Sequence, residues 1–502
     1  MPSTNTTPRG FTALPSEILL KIASHLHDLC TEEHKQDKKS FKENPFKKSP
    51  TSTHVVAPHT QHNDVLAFCQ VSKACASVGQ EILVRHCDLT GVLATSRIIL
   101  LAQTLLEKPG LRSKVLSLKI DLTFGVRDDV ASVQMQHPSV LPAMLQYLSQ
   151  VNKPESHEQK VTMMMVRKIL ESPEDPWKRE TWYVALFLLT PHLRRLHIDG
   201  FDGIFYNVIQ SLNASALQML ETIILRGKAS ASVMESFQLC LERLSLPSLK
   251  AVEMRRKGPE MLFLFPGLQG WIETFRTRPV FNAEVVTIRG WLSPPHLSVY
   301  LYRFPAIKVL HLVIDDMNDA LVQTLWPGLV HVQHTLEVLT VRFKCKDRSS
   351  WDAFAGYRRH VAIWPLYLSY LYKLKTFEIS GDFLPDKRLV VPNIEPSAVG
   401  PDYFLYEFLP PNLERFVFAP NLLTTIDAKY KNPYGKKWWS QSFEYDWRVW
   451  ILVCFGCVLR NLHEYRPGLK TIEISSDMFC PETASIFQHL LARNGVELTI
   501  QT

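Results

Sequence analysis

Leu193-Arg194-Arg195-Leu196-His197-Ile198 sets a large apolar residue, two others, an apolar residue, one other and a final apolar residue in line, just after Pro191. Side chains alternate across an extended strand, so 196 and 198 share a buried face while 197 and 199 point the other way. A single match carries no weight, because any buried strand supplies it. The same template recurs at Val115-Leu118-Ile120, Leu220-Ile223-Leu225, Leu249-Val252-Met254, Ala283-Val286-Ile288 and Ile307-Leu310-Leu312. Leu336-Leu339-Val341, Leu374-Phe377-Ile379, Leu413-Phe416-Phe418 and Leu469-Ile472-Ile474 bring the total to ten. From Leu193 onward successive copies lie 24 to 56 residues apart, and apolar helical stretches such as 182–189 and 233–244 stand between them. That pattern predicts an α/β solenoid of strand–helix repeats over 91–502, in which each repeat buries its face only by stacking on its neighbours. The long intervals 121–192 and 419–468 read as insertions or variant repeats.

Composition supports a folded chain. The 502 residues exceed one ordinary core, and 46% hydrophobic with 21% charged residues is globular in character. The net charge of +7 is spread too thinly to imply nucleic-acid binding. Nine cysteines over this length argue against a disulfide framework and for a reducing compartment. The polar stretch 1–11 does not read as a signal peptide, and the apolar run 449–459 is far shorter than a membrane span. The expectation is a cytoplasmic or nuclear protein with neither a nucleic-acid nor a membrane partner.

Upstream of the repeats, 1–10 reads as disordered and 11–90 as a small helical domain. In Leu14-Pro15-Ser16-Glu17-Ile18-Leu19-Leu20-Lys21-Ile22-Ala23-Ser24-His25-Leu26 the residues Ile18, Ile22 and Leu26 recur every fourth position. Pro15 suits a first helical turn, where no amide hydrogen is needed. Residues 28–62, rich in lysine, proline, serine and histidine, read as a flexible insert. Asn63 then caps a short helix through Val71, and Ser72 caps a third that carries Cys75, Val78 and Ile82.

Leu-Pro-x-Glu-Ile-Leu at 14–19, continued by Asp-Val-Leu-Ala-Phe-Cys-Gln-Val-Ser-Lys at 64–73, resembles an F-box. The following Ala-Ser-Val-Gly-Gln-Glu-Ile-Leu-Val-Arg resembles the fungal branch of that family. The resemblance covers 11 to about 88. It departs at 74 and 75, where Ala74 and Cys75 replace the basic and aromatic residues often found there. The repeats resemble the irregular leucine-rich repeats of F-box proteins. The asparagine that normally closes the strand turn is missing, with Phe201 and Lys228 at two such positions. The resemblance implies a non-catalytic substrate-recognition subunit of a Skp–cullin–F-box ubiquitin ligase. Leu14, Pro15, Ile18, Ile22, Leu66 and Val71 fall at apolar positions that contact the Skp-type adaptor or support that surface. The adaptor brings in the cullin, and the repeats hold the protein substrate. An F-box scaffold without ubiquitin transfer is the alternative.

The sequence offers little for chemistry of its own, and no cofactor or metal is expected. It lacks H-E-x-x-H, G-x-x-x-x-G-K and G-x-S-x-G. Cys454 and Cys457 have metal-ligand spacing but no second pair, and they read as core; His331 and His334 have no ligands nearby. The aromatic cluster from Trp438 to Trp450 divides between core packing and a binding surface. The position after the last apolar residue of each template reads Asp121, Asp199, Arg226, Arg255, Arg289, Val313, Arg342, Ser380, Ala419 and Ser475. On stacked strands this column lies on the concave side. Two readings stay open: a solvated column balanced by carboxylates such as Glu253, or a docking stripe of Arg226, Arg255, Arg289 and Arg342 for an acidic or phosphorylated substrate.

Overall fold

The computed structural model describes residues 14–24, 63–90, 94–121, 136–151, 164, 167–171, 178–200, 217–227, 246–256, 281–290, 301–302, 304–314, 328–343, 368, 370–380, 410–419, 468–475 and 481–501. Insert 28–62, stretch 233–244, Cys454, Cys457 and the aromatic cluster 438–450 lie outside them. The chain divides into two compact units, Met1–Asp199 with Asn207–Leu220 and Gly200–Tyr206 with Glu221–Thr502.

The first unit opens with three helical segments: α1 at 16–24, α2 (Asn63–Val71) and α3 (Lys73–Arg85). Pro15 stands just before the helix rather than in its first turn, and its carbonyl accepts from the Ile18 and Leu19 amides. The Ser72 side chain accepts from the Cys75 amide at 3.1 Å, capping α3 as expected. Leu19, Ala23, Val65, Phe68, Cys75 and Ile82 form one buried cluster. A Cβ at Gly79 of α3 would collide with the Cys69 sulfur of α2, so glycine is what lets these helices approach so closely.

Strand β1 (His86–Leu89), α4 (Ala94–Glu107), a 3-10 turn at Pro109–Lys114, β2 (Ser117–Asp121), α5 (Val140–Val151), α6 (Lys178–Leu189) and β3 (Arg195–Asp199) follow. The three strands pair in parallel and in chain order, with Asp88 opposite Lys119 and Lys119 opposite His197. Ile98, Ala102 and Leu105 repeat at helical spacing and bury one stripe of α4. α4, α5 and α6 pack on one another. The buried Tyr183 hydroxyl, on α6, donates to the Leu89 and Asp121 carbonyls at 3.3 Å each.

The second unit carries β4 (Thr222–Gly227), β5 (Ala251–Arg256), β6 (Val285–Gly290), β7 (Val309–Ile314), β8 (Val338–Phe343), β9 (Thr376–Ser380), β10 (Arg415–Ala419), β11 (Thr471–Ser475) and β12 (Glu497–Gln501). They run in chain order, each parallel to the next, and the row stays open. All ten template copies fall on strands, β2 to β11. β1 and β12 are additional: Val84-Cys87-Leu89 keeps the template spacing with a cysteine at its middle position, and β12 has Gly495 where the leading apolar residue stands. Val252 and Met254 of β5 are buried while Glu253 and Arg255 are not; in β6, β8 and β10 the central residue of the other face, Thr287, Thr340 or Val417, is buried as well. Core rings stack between repeats, as with Phe377 and Phe416, whose centroids lie 5.9 Å apart. Helix α7 (Pro481–Arg493) packs on β12 through Ala484, Phe487 and Leu491. Gly495, at φ +72°, turns the chain from α7 into that strand. Among the described residues no helix is long and apolar enough to cross a membrane.

Candidate functional site

Two surfaces stand out, one in each unit. On the first, the helices bury one apolar stripe and expose another. Leu14 is 38% exposed, Ile18 41%, Leu66 47% and Val71 55%. Pro15 is exposed beside Leu14, and Ile22 is half-buried against the core cluster. The reason is visible in the helix geometry. Leu19 and Ala23 occupy the inward stripe of α1, so Ile18 and Ile22, one residue earlier in each turn, fall on its flank. On α2, Val65 and Phe68 face inward, leaving Leu66 and Val71 outside. Five of the six expected contact residues are therefore available on the surface and the sixth supports them. Single exposed apolar residues are ordinary; five on one small helical unit make it a candidate docking surface.

The second surface is the polar face of the strands. The expected arginine column exists as a register: Arg226 pairs with Arg255, Arg255 with Arg289, Arg289 with Val313, and Val313 with Arg342. Adjacent strands stand ~4.8 Å apart, so these cations repel unless countered. The next row supplies the counter-charge. Glu253 bonds Arg255 and lies 3.6 Å from Arg289, and Glu378 bonds Arg342 and accepts from the Thr340 hydroxyl at 3.3 Å. In a further repeat, Glu473 accepts from Arg415 at 2.8 Å. The arginines are thus partly neutralised, as one of the two sequence readings has it. Arg255, Arg289 and Arg342 against Glu253 and Glu378 still leave one net positive charge.

His311 of β7 sits at the centre of this face, between Thr287 of β6 and Thr340 of β8. Burial pulls its pKa below the usual 6.5; Glu378 opposes that, and Arg289 and Arg342 add to it. The imidazole is therefore neutral at neutral pH.

A third feature, at the leading edge of the strands, escaped the sequence reading. From Leu220 onward the residue after the first apolar position of each template reads Glu221, Lys250, Glu284, Lys308, Glu337, Lys375, Glu414 and Lys470, in strict alternation over eight repeats. Each amide in this series donates to the carbonyl of the residue before it in the row. Each lysine pairs with the glutamate before it: 3.5 Å for Lys250–Glu221, 2.7 Å for Lys308–Glu284, 2.9 Å for Lys375–Glu337 and 2.8 Å for Lys470–Glu414. Hydrogen bonds and opposite charges on both sides raise the pKa of Lys308 and Lys375 and lower that of Glu337 and Glu414. The signal was legible once the templates were aligned on their first apolar residue.

Elsewhere the chemistry is quiet. Cys69, Cys75 and Cys87 are free thiols, and burial pushes Cys87 up to about 12, so it has no nucleophilic character at neutral pH. His331 meets the edge of the Tyr302 ring, and a His334 ring nitrogen lies 3.1 Å from the Gln333 side-chain amide. Among the described residues no group of histidine, cysteine and carboxylate side chains is placed to hold a metal ion. No protein-family model matches the chain and no curated protein matches it, so function is argued from these surfaces.

Proposed function

We propose that this chain is the substrate-recognition subunit of a Skp–cullin–F-box ubiquitin ligase. Its 11–90 segment is the F-box that docks the Skp-type adaptor. Its strand repeats are irregular leucine-rich repeats that hold the substrate. The observation that supports the reading best is the exposed set Leu14, Pro15, Ile18, Leu66 and Val71 on a helical unit whose core is already complete without them. Burying such residues against a partner removes apolar area from water, and each anchor contributes ~2 kcal/mol or more when truncation is the measure.

The chain itself breaks and forms no bonds. It acts by proximity, holding a substrate lysine where a ubiquitin-charged conjugating enzyme reaches it. The substrate rests on the polar face, where Arg226, Arg255, Arg289 and Arg342 attract an acidic or phosphorylated segment. Pull-down of the full chain, compared with a chain lacking residues 1–92, tests the reading. Adaptor and cullin recovered together, and both lost on truncation, is the expected result. Adaptor without cullin points to a scaffold that transfers no ubiquitin. Recovery of neither overturns the proposal.

A further inference from the structure

The alternation at the leading edge extends to the polar face, so the second unit is built from doublets of repeats: β4–β5, β6–β7, β8–β9 and β10–β11. In each doublet the first strand opens with glutamate and the second with lysine. The central outward position runs as one row in register: Ile224, Glu253, Thr287, His311, Thr340, Glu378, Val417 and Glu473. The first strand of every doublet places an uncharged β-branched residue there. The second places a carboxylate in three doublets, and that carboxylate pairs with an arginine of a neighbouring first strand: Glu253 with Arg289, Glu378 with Arg342, Glu473 with Arg415.

The β6–β7 doublet breaks this rule. His311 stands where the others carry glutamate. It is flanked by the two first strands that bear Arg289 and Arg342, and the position beyond it holds the uncharged Val313. Both arginines reach their carboxylates through Nε, on the sides away from β7. Neither has a carboxylate on its terminal nitrogens among the described residues. The guanidinium fork carries five N–H donors, so each arginine retains donors for a second acceptor. Both side chains are about half exposed, at 47% and 56%. His311 is half-buried and its ring nitrogens meet no hydrogen-bond partner among the described residues. Where a repeat departs from its own rule with no internal compensation, a function is the expected reason.

We infer that the carboxylate missing from the β6–β7 doublet is supplied in trans: an acidic side chain of the bound protein segment sits between Arg289 and Arg342 over His311. The inference rests on the reading of the polar face as the docking face and goes beyond it. It names the subsite and its centre, and it selects carboxylate as the ligand because carboxylate fills the equivalent position in the other three doublets. The Thr287 and Thr340 side chains, Glu378 across Thr340 and Glu253 across Thr287 complete the surroundings. The imidazole is neutral at pH 7 and donates one N–H to the ligand. When it is protonated it adds a third cation, so binding strengthens as the pH falls below neutrality.

The test uses the full-length chain and a fluorescent oligo-glutamate peptide, followed by anisotropy between pH 5.5 and 8 at low salt. Wild type is expected to bind more tightly toward low pH. His311→Glu restores the internal carboxylate and so closes the site, weakening binding by about tenfold or more without lowering the melting temperature. His311→Gln keeps an N–H donor, and it retains binding at pH 7.5 but loses the pH dependence. Equal binding by wild type and His311→Glu overturns the subsite, as does no binding by wild type. A combined Arg226→Glu, Arg255→Glu, Arg289→Glu variant separates the two layers. If it loses the peptide while His311→Glu does not, the docking face stands and the subsite fails; if neither change matters, the docking face fails too.

Discussion

The helices α1 to α3 and the strand repeat β4–β11 treat their surfaces in opposite ways. The helices complete a small core with Leu19, Ala23, Val65, Phe68, Cys75 and Ile82 and then leave further apolar residues in water. The repeats leave charges in water but give most of them an internal partner, lysine to glutamate along the leading edge and arginine to glutamate across the polar face. A partner of the first region gains by excluding water and competes with nothing already in place. A partner of the second must share or displace existing ion pairs, so its affinity is sensitive to salt and to charge reversal. On the proposed reading, tight constitutive docking belongs to the helices and selective docking to the repeats.

The comparison is broken most severely by reversing the charge of the polar face. Arg226→Glu with Arg255→Glu and Arg289→Glu sets three new carboxylates beside Glu253, and substrate capture in a pull-down is expected to vanish while adaptor capture persists. Loss of both would mean that the surfaces are not separable. Next in size is Gly79→Ala, which drives a methyl group into the Cys69 sulfur and should cost about 1–3 kcal/mol of stability in the helical unit by denaturant unfolding. Adding Cys69→Ala should return most of that loss. A mutant as stable as wild type would mean that α2 and α3 are not packed this closely.

A smaller effect concerns pH. Below the ordinary histidine pKa of 6.5, the unfolded chain binds a proton that folded His311 accepts only at lower pH. Stability therefore falls as pH drops through 6.5 toward the folded value, and His311→Gln removes that part of the slope. The smallest effect is at the leading edge. Glu337→Lys puts a cation between Lys308 and Lys375 and should lower the melting temperature slightly, more at low salt than at high. Adding Lys375→Glu restores that pair but opposes Glu414, so recovery should be partial. Full recovery would reduce the alternation to four independent pairs.

The strands were legible because burial on one face imposes the same apolar spacing on every repeat, and Leu249-Val252-Met254 follows the same law as Leu469-Ile472-Ile474. β1 and β12 were less legible, because a cysteine stands at the middle position of Val84-Cys87-Leu89 and a glycine, Gly495, at the leading position of β12. Exposure of Ile18, Leu66 and Val71 follows from helical spacing once Leu19 and Val65 are placed inside. The arginine column was legible as a column but not as a set of ion pairs, since pairing depends on which strand's glutamate reaches which neighbour. Glu253 leans forward to β6, whereas Glu378 leans back to β8. The special place of His311 needed the register across five strands.

The central claim is that the exposed apolar residues of the first helices form the adaptor-binding surface. Titration of a purified Skp-type adaptor into the full chain and into its Leu14→Ala, Pro15→Ala variant tests it most directly, with thermal unfolding as the control for folding. Two anchors of ~2 kcal/mol each predict about a thousandfold weaker binding by the variant with its unfolding unchanged. Binding within about twofold of wild type, or no adaptor binding by wild type at all, would contradict the account.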